Sequence, residues 1–225
     1  MYVYETIEQR KQNAGTPGPP AVRTRVPVTL VTGYLGSGKT TLIAALMRRD
    51  GMAGTAVIVN ELAEVGIDQS VIAESASGDV VLLSNGCLCC ALGTDLSNAV
   101  HRLLDFDRPD GQKTTRILIE TSGAADPGPI MRQVCFEPLL RSKLLYGGVL
   151  CLFDGAFGEG LLERDAVGYR QIGMADMILI TKTDMIDEDR VEAQRCRLRQ
   201  LNAVTIITSD PDRAARFLAG DGGTV

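Results

Sequence analysis

The segment Gly33-Tyr-Leu-Gly-Ser-Gly-Lys-Thr40 constrains the fold of this chain more than any other feature of its sequence. It fits the pattern G-x-x-x-x-G-K-[ST], and it lies between an apolar run typical of a strand and a segment typical of a helix. Its glycines allow the sharp backbone turn that points successive main-chain N–H groups at a polyphosphate. We therefore expect a phosphate-binding loop, with Lys39 reaching the β and γ phosphates and the Thr40 hydroxyl on Mg²⁺.

Apolar runs alternate with helix-like segments along the rest of the chain. Most of the runs are continuously apolar, as expected of strands buried on both faces of a parallel sheet. This pattern predicts an α/β fold: a doubly wound, mostly parallel P-loop NTPase sheet flanked by helices in three α/β/α layers. The predicted strands are Val26–Thr32, Thr55–Asn60, Val80–Ser84, Arg116–Glu120, Gly148–Phe153, Met177–Thr181 and Val204–Thr208. The predicted helices are Lys39–Arg49, Thr94–Asp105, Pro129–Leu140, Glu159–Arg170 and Asp187–Leu201.

One domain is expected, since 225 residues are enough for a single α/β core and leave little room for a second. Residues 1–24 are predicted to be a flexible tail, because the run Thr16-Pro-Gly-Pro-Pro20 cannot continue a helix or join a sheet interior. The phosphate-binding domain is expected to span residues 25–210. Residues 211–225, which end in a glycine-rich run, are expected to be a frayed or truncated end.

Charge and hydropathy exclude several kinds of partner. A net charge of −5 gives no general attraction to nucleic acid or to anionic lipid, so we expect neither as a partner. No apolar run is long enough to cross a bilayer, and the N-terminus lacks the apolar core of a signal peptide. These features predict a cytoplasmic protein.

Two polar turns follow predicted strands, at the edge where open α/β sheets bind their ligands. In the turn Glu120-Thr-Ser-Gly123, Glu120 can hold Mg²⁺ directly or through a water, and the Gly123 amide can sense a γ-phosphate. In the turn after Ile180, the Asp184 carboxylate can accept both N–H donors of the Watson–Crick edge of guanine, a pair that adenine lacks. Lys182 can lie along the base and sugar. The two turns predict GTP and Mg²⁺ as ligands.

The segment from Asn60 to Asp68 carries three carboxylates directly after a predicted strand, on Glu61, Glu64 and Asp68. Such a loop suits contact with Mg²⁺, with an attacking water or with another metal. A solvated charged loop is the alternative.

Three closely spaced cysteines follow an Asn-Gly turn, at Cys87, Cys89 and Cys90. In a reducing compartment such a cluster indicates a metal or redox site rather than a disulfide framework. Thiolates suit Zn²⁺, Cu⁺ or Co²⁺, and three of them leave a fourth position for a water, for Glu61 or for a ligand from a client protein. The remaining cysteines, which we expect to behave as small hydrophobic side chains, are Cys135, Cys151 and Cys196.

Taken together, the segments GYLGSGKT, NE…EVGID, GCLCC, ETSGAADP and TKTD, in this order, resemble the CobW-type metallochaperone GTPases, relatives of the nickel-insertion GTPases of urease and hydrogenase maturation. The resemblance runs from about Val26 to Thr208. It implies Mg²⁺-dependent GTP hydrolysis coupled to a transition metal, zinc or cobalt, at the Cys-x-Cys-Cys loop. It places Glu61 and Asp68 in a first switch and residues 120–123 in a second.

The resemblance also implies roles for individual residues. Those that would act in catalysis are Lys39, Glu61, Asp68 and Glu120. Those that would bind the nucleotide are Gly33, Gly36, Ser37, Gly38, Lys39, Thr40, Thr41, Gly123, Lys182 and Asp184. Those that would hold metal ions are Cys87, Cys89 and Cys90 for the transition metal and Thr40 and Glu120 for Mg²⁺.

Three departures from the family pattern stand out. Thr181 lies where many GTPases have an asparagine that contacts the base, which weakens the expected preference for guanine. Leu62-Ala63 replaces the usual aromatic–Gly pair. Full-length relatives usually carry a C-terminal domain, often with a histidine-rich stretch, which this sequence lacks.

The expected partners are GTP, a transition metal ion and a client metalloprotein, with a homodimer left open. Three other functions fit parts of the pattern. An ATPase or small-molecule kinase would let ATP compete equally with GTP. A non-catalytic metal carrier or store would bind metal without releasing phosphate. A thiol redox protein would form a reversible disulfide within the cysteine cluster without metal.

Overall fold

The computed structural model describes residues 25–59, 80–82, 94–105 and 113–220. Its strands are β1 Val26–Gly33, β2 Thr55–Val59, β3 Val80–Leu82, β4 Arg116–Glu120, β5 Leu144–Asp154, β6 Met177–Thr181 and β7 Ile206–Thr208. They form one sheet in the order β3-β2-β4-β1-β5-β6-β7, and every neighbouring pair is parallel. Each predicted strand is therefore present, and the prediction of a parallel sheet is confirmed.

Strand β5 begins earlier than the sequence suggested, at Leu144 instead of Gly148. Its first residues pair with the start of β1, and Tyr146 lies opposite Val28. The register then shifts, because Gly147 and Gly148 form a bulge in which Gly148 has φ +109°. The two glycines interrupt the apolar run, so the sequence pattern alone placed the start of the strand after them.

The helices are α1 Lys39–Met47, α2 Thr94–Asp105, α3 Gly128–Phe136, α4 Pro138–Lys143, α5 Gly158–Leu162, α6 Ala166–Gly173, α7 Glu188–Leu201 and α8 Pro211–Ala219. The predicted helix 129–140 is broken at Glu137, whose extended backbone (ψ 122°) is the conformation favoured before a proline. The predicted helix 159–170 is also two helices. The second begins at Ala166 and is capped by Asp165, whose side chain accepts a hydrogen bond from Val167 N at 2.9 Å.

The expectation of a frayed end from residue 211 is wrong for residues 211–219, which form α8. Asp210 caps this helix by accepting a hydrogen bond from Asp212 N at 2.9 Å, and proline occupies its first turn. Its apolar stripe packs into the core through Ala214 and Leu218. The helix ends at Gly220, which has φ +79°. Residues 1–24 and 221–225 lie outside the described residues.

Two faces of the sheet carry separate cores. Helices α1 and α8 pack on one face, against alternate residues of the strands such as Val31 and Leu152. Helices α2 to α7 cover the other face, where Leu30 and Phe153 are examples of the buried strand residues. This is the doubly wound, three-layer α/β/α arrangement that the sequence predicted. Within the described residues, the helices are too short or too polar to cross a bilayer.

Candidate nucleotide-binding site

Four turns meet at one edge of the sheet because all the strands are parallel. They follow β1, β4, β5 and β6 and comprise residues 33–40, 120–126, 154–157 and 181–185. Strand β1 lies between β4 and β5, which is where the strand order reverses. Open α/β sheets bind ligands in the crevice at this kind of switch point. The topology therefore brings the predicted phosphate, magnesium and base residues to one location.

The loop after β1 has the backbone of a phosphate cradle. Gly33, Gly36 and Gly38 have φ values of +136°, +74° and +94°, which side chains rarely tolerate. A Cβ atom at Gly33 would also clash with the carbonyl oxygen of Leu152 in β5. Glycine is thus required at position 33 by both conformation and space. The loop leads into the N-terminus of α1, and the first-turn N–H groups of a helix attract anions.

Lys39 lies across this loop. Its Nζ atom donates to the carbonyl oxygens of Gly33, at 2.9 Å, and Tyr34, at 3.2 Å. The side chain is 7% exposed, so its charge is held inside the cradle instead of extending into solvent. A buried ammonium group at a helix N-terminus makes a strong local attraction for a phosphate group.

Thr40 and Glu120 join the phosphate loop to the end of β4. The Thr40 hydroxyl donates to Oε1 of Glu120 at 2.7 Å, and Glu120 is 1% exposed. A hydroxyl and a carboxylate are hard oxygen ligands, and Mg²⁺ in nucleotide sites takes one or two protein oxygens together with phosphates and waters. The pair therefore fits Mg²⁺. Within the described part of the chain, no three or more His, Cys, Asp or Glu side chains gather into a group that could hold a metal ion by themselves.

The turn after Glu120 packs directly on the phosphate loop. A Cβ atom at Gly123 would come within 2.5 Å of Leu35 N, so only glycine fits at this contact. Ala125 N donates to Ser122 O at 3.0 Å and closes the turn. On its other side, the turn is held by the side chain of Gln171 of α6. The predicted proximity of residue 123 to the phosphate loop is therefore present.

The turn after β6 is tied to the phosphate loop by Thr181. Its hydroxyl donates to Ser37 O at 2.9 Å and also reaches Phe153 O at 3.3 Å. A hydroxyl at this position thus connects the turn predicted to bind the base to the phosphate loop, although it lacks the amide of asparagine.

Lys182 and Asp184 continue this turn. Lys182 has φ +55°, and its Nζ atom pairs with Oδ2 of the buried Asp154 at 2.7 Å and lies 5.8 Å from the centre of the Phe157 ring. Asp184 is exposed in a short 3₁₀ turn, Thr183–Met185. The turn that was predicted to bind the base is therefore an open rim around Asp184 and not a buried pocket.

Sequence reasoning missed three residues that shape the site: Asp154, Asp165 and Gln171. Asp154 ends β5 one residue beyond its predicted limit, so it could have been found as another strand-end carboxylate. Asp165 accepts a hydrogen bond from the Tyr34 hydroxyl at 3.3 Å. Burial, followed by the negative charge of Asp165, raises the pKa of Tyr34. Gln171 carries no signal in a single sequence, because glutamine is ordinary in a helix.

The remaining expectations divide into two groups. Those that lie outside the described residues are Glu61, Asp68, Cys87, Cys89 and Cys90.

The second group consists of the isolated cysteines, which the structure describes. Cys151 is buried, and burial raises the pKa of its thiol to about 12 even though the nearby Lys39 acts in the opposite direction, so it is an inert core residue. Cys135 is half-buried. The prediction for Cys196 is wrong, since it is exposed on a polar helix.

Comparison with known proteins places this site in a family context. The nucleotide-binding domain of the CobW/HypB/UreG family matches residues 27–208. The zinc chaperone YjiA of Escherichia coli is 36% identical over 178 residues, covering 79% of this chain and 55% of that protein. Zinc-regulated GTPase metalloprotein activator 1 of Schizosaccharomyces pombe is 31% identical over 188 residues, covering 81% of this chain and 45% of that protein.

The fold agrees with these similarities. The crystal structure of the Zn(II)-bound YjiA GTPase from E. coli matches with a TM-score of 0.62 and 29% identity, over 83% of this chain and 57% of that one. This chain spans about half the length of the curated relatives that it matches.

Proposed function

The chain belongs to the CobW/HypB/UreG nucleotide-binding family, and from this membership and the site we propose that it is the GTP-hydrolysing part of a metallochaperone. In this proposal it binds GTP with Mg²⁺ at the edge of the sheet and a transition metal, zinc or cobalt, at the Cys-x-Cys-Cys segment. The nucleotide state changes the affinity for that metal. A client metalloprotein receives it.

The observation that carries the nucleotide half is the packing of Lys39, Thr40 and Glu120. A buried ammonium and a hydroxyl in the first turn of α1 adjoin the buried carboxylate at the end of β4, and the hydroxyl and carboxylate are 2.7 Å apart. This arrangement complements a polyphosphate and its divalent cation better than any other ligand class, because it supplies positive charge for phosphate and oxygen ligands for the cation.

The protein's own groups would act on GTP by positioning and by electrostatics. Lys39 would transfer its hydrogen bonds from the two loop carbonyls to phosphate oxygens, and Thr40 and Glu120 would hold Mg²⁺. When bound, Mg²⁺ supplies charge neutralisation at the phosphates. The Gly123 amide would bind the γ-phosphate, and Glu61 and Asp68 are proposed to orient the attacking water.

For the base, we propose that Lys182 covers one face of guanine with its alkyl stem and that Asp184 accepts the guanine N–H groups. The ion pair with Asp154 holds the Lys182 side chain at the rim, which supports this role. The exposed position of Asp184 weakens discrimination, because the cost of leaving a carboxylate unpaired is small in water.

For the metal, the support comes from the sequence and from the named zinc relatives. Cys87, Cys89 and Cys90 offer three thiolates, the ligand type that zinc and cobalt accept. The cluster lies between the two proposed switch segments along the chain. A γ-phosphate that orders these switches would therefore bias the cysteine segment, and zinc would be bound or released as the nucleotide changes.

Glu120→Gln tests the proposed magnesium site. Glutamine keeps the shape and can still accept from Thr40, but it lacks the charge that draws Mg²⁺. We expect the Mg²⁺ concentration for half-maximal GTP hydrolysis to rise about 10-fold or more. Binding of GDP in EDTA should stay within about twofold of wild type, since phosphate contacts remain. Phosphate release measured against Mg²⁺ concentration gives the first value, and equilibrium titration with a fluorescent GDP analogue in EDTA gives the second.

The matched control for this variant is Glu192→Gln, which removes the same charge from an exposed side chain on α7. It should leave the magnesium dependence unchanged. An unaltered magnesium dependence in Glu120→Gln would show that this carboxylate does not serve the cation.

A further inference from the structure

We infer that Gln171 of α6 is a positioning residue that holds the turn 122–125 against the phosphate loop and thereby sets how strongly the protein distinguishes a nucleoside triphosphate from a diphosphate. The inference rests on the proposed function and extends it to a residue that none of the predicted motifs contains.

The contacts of Gln171 are specific. Its side chain is 1% exposed, and Nε2 donates to the carbonyl oxygens of Gly123 at 3.2 Å and Ala125 at 3.1 Å. A side-chain amide has two N–H donors, and here each can serve one main-chain carbonyl. An apolar side chain of similar size would fill the same space but would leave two carbonyls without these donors, so the amide chemistry is what position 171 contributes.

On the side opposite Gln171, the turn 122–125 is held by contacts with β1 and the phosphate loop. Gly123 packs on the backbone of Leu35, with no space for a Cβ atom. Just before the turn, Thr121 N donates to Val31 O at 3.0 Å, and the Thr121 hydroxyl donates to Thr32 at 2.9 Å. The turn is therefore fixed between the phosphate loop and α6, and any displacement of residue 171 shifts the peptide groups that face a γ-phosphate.

Helix α6 is itself attached to the site at both ends. At its start, Asp165 accepts the hydrogen bond of Tyr34 from the phosphate loop. Near its end, Arg170 pairs with Asp126 at 3.3 Å, next to the contacts of Gln171. One short helix thus links the first turn of the phosphate loop to residues 123–126. This makes α6 a rigid spacer, and Gln171 is its buried contact with the turn.

The effect of Gln171 on binding should differ between nucleoside diphosphates and triphosphates. A diphosphate is held by the cradle and Lys39, which do not depend on residue 171, whereas the γ-phosphate also requires the turn. Loss of the Gln171 donors should lower kcat and the affinity for a non-hydrolysable GTP analogue while sparing GDP. A misplacement of about 1 Å in a catalytic group can cost about 100-fold in rate.

The experiment compares wild type with Gln171→Met and Gln171→Glu in GTP hydrolysis and in binding of GDP and of a non-hydrolysable GTP analogue. For Gln171→Met we expect kcat to fall by about 10- to 100-fold and the analogue-to-GDP affinity ratio to fall at least about fivefold, with GDP affinity within about twofold of wild type. For Gln171→Glu, an ionised carboxylate would face two carbonyl oxygens. Its kcat relative to wild type should therefore increase as the pH falls and the carboxyl becomes a donor.

The matched control is Asn202→Leu. Asn202 is also a buried amide, and where α6 ends it donates to the main-chain carbonyls of Ile172 and Ala175, each at 2.9 Å, and of Gly173 at 3.4 Å, without contacting the turn 122–125. Its loss should lower thermal stability but keep the affinity ratio, which separates loosening of the helix from loss of the Gln171 contact.

The possible outcomes distinguish a failure of the proposed function from a failure of the positioning role of Gln171. No GTP binding or hydrolysis by wild type contradicts the proposed function and this inference with it. Normal wild-type hydrolysis with an unchanged kcat and affinity ratio in Gln171→Met contradicts the inference alone, as does an equal loss of GDP and analogue affinity. If the methionine variant does not fold, the pH series of Gln171→Glu decides, and a constant ratio to wild type overturns the positioning role.

Discussion

Replacement of Lys39 by alanine is expected to weaken GTP binding by about 100-fold or more and to remove detectable hydrolysis. The loop holds one buried ammonium group, and the phosphates of GTP would be its partners. A hydrogen bond to a charged group contributes about 1.5–3 kcal/mol, and about 2.8 kcal/mol corresponds to 100-fold in affinity. Equilibrium titration with a fluorescent GTP analogue measures the loss directly.

The control for this variant is Lys143→Ala. It removes a lysine that contacts His101 at the end of α4, which packs on the face of the sheet opposite α1. It should bind the analogue like wild type. Thermal unfolding of both variants would show that the chain stays folded. Undiminished GTP affinity and turnover in Lys39→Ala would contradict the assignment of the phosphate loop.

Simultaneous replacement of Cys87, Cys89 and Cys90 by serine is expected to abolish tight metal binding. Serine hydroxyls are neutral at pH 7 and poor ligands for zinc or cobalt, so three of the proposed ligands would be lost together. Wild type purified without oxygen should carry about one zinc or cobalt ion per chain, and the triple variant should carry almost none. Elemental analysis after gel filtration measures the content.

Two further measurements make the metal result specific. Cys196→Ser removes an exposed thiol from α7 and should not alter the metal content. The triple variant should still bind GTP, because the phosphate loop is unchanged. Equal metal content in wild type and the triple variant would contradict the site, and a reversible disulfide in metal-free wild type would favour a thiol redox function instead.

Local sequence signals were sufficient for most of the sheet and for the phosphate cradle. The strands are apolar on both faces, with Leu30 on one face of the sheet and Val31 on the other, which is a consequence of burial in a parallel sheet and so is visible in one sequence. The glycines at 33, 36 and 38 are required by positive φ angles, a local backbone property. For the same reason, the loop could be assigned without knowing what lies next to it.

Features that depend on tertiary contacts were not accessible in this way. The contact between Gln171 and Gly123 joins residues 48 positions apart, and no pattern in either segment indicates the other. The link from Thr181 to Ser37 spans 144 positions. Helix α8 was different, since Asp210, Pro211 and Gly220 are local start and stop signals that were outweighed by the polar, glycine-rich end of the chain.

The breaks in two predicted helices have local causes that the apolar periodicity concealed. Pro138 excludes the helical conformation at Glu137, yet apolar residues continue at helical spacing on both sides. The exposure of Asp184 had no sequence signal either, because it depends on how the turn after β6 leaves the sheet.

Coupling between nucleotide and metal is the central claim, and titration of a non-hydrolysable GTP analogue with Mg²⁺, in the absence and presence of saturating Zn²⁺, tests it most directly. We expect the analogue to bind in both conditions with affinities that differ by about fivefold or more, and the zinc affinity to change by the same factor when the analogue is bound. Identical affinities with and without zinc would contradict a nucleotide-controlled metal carrier.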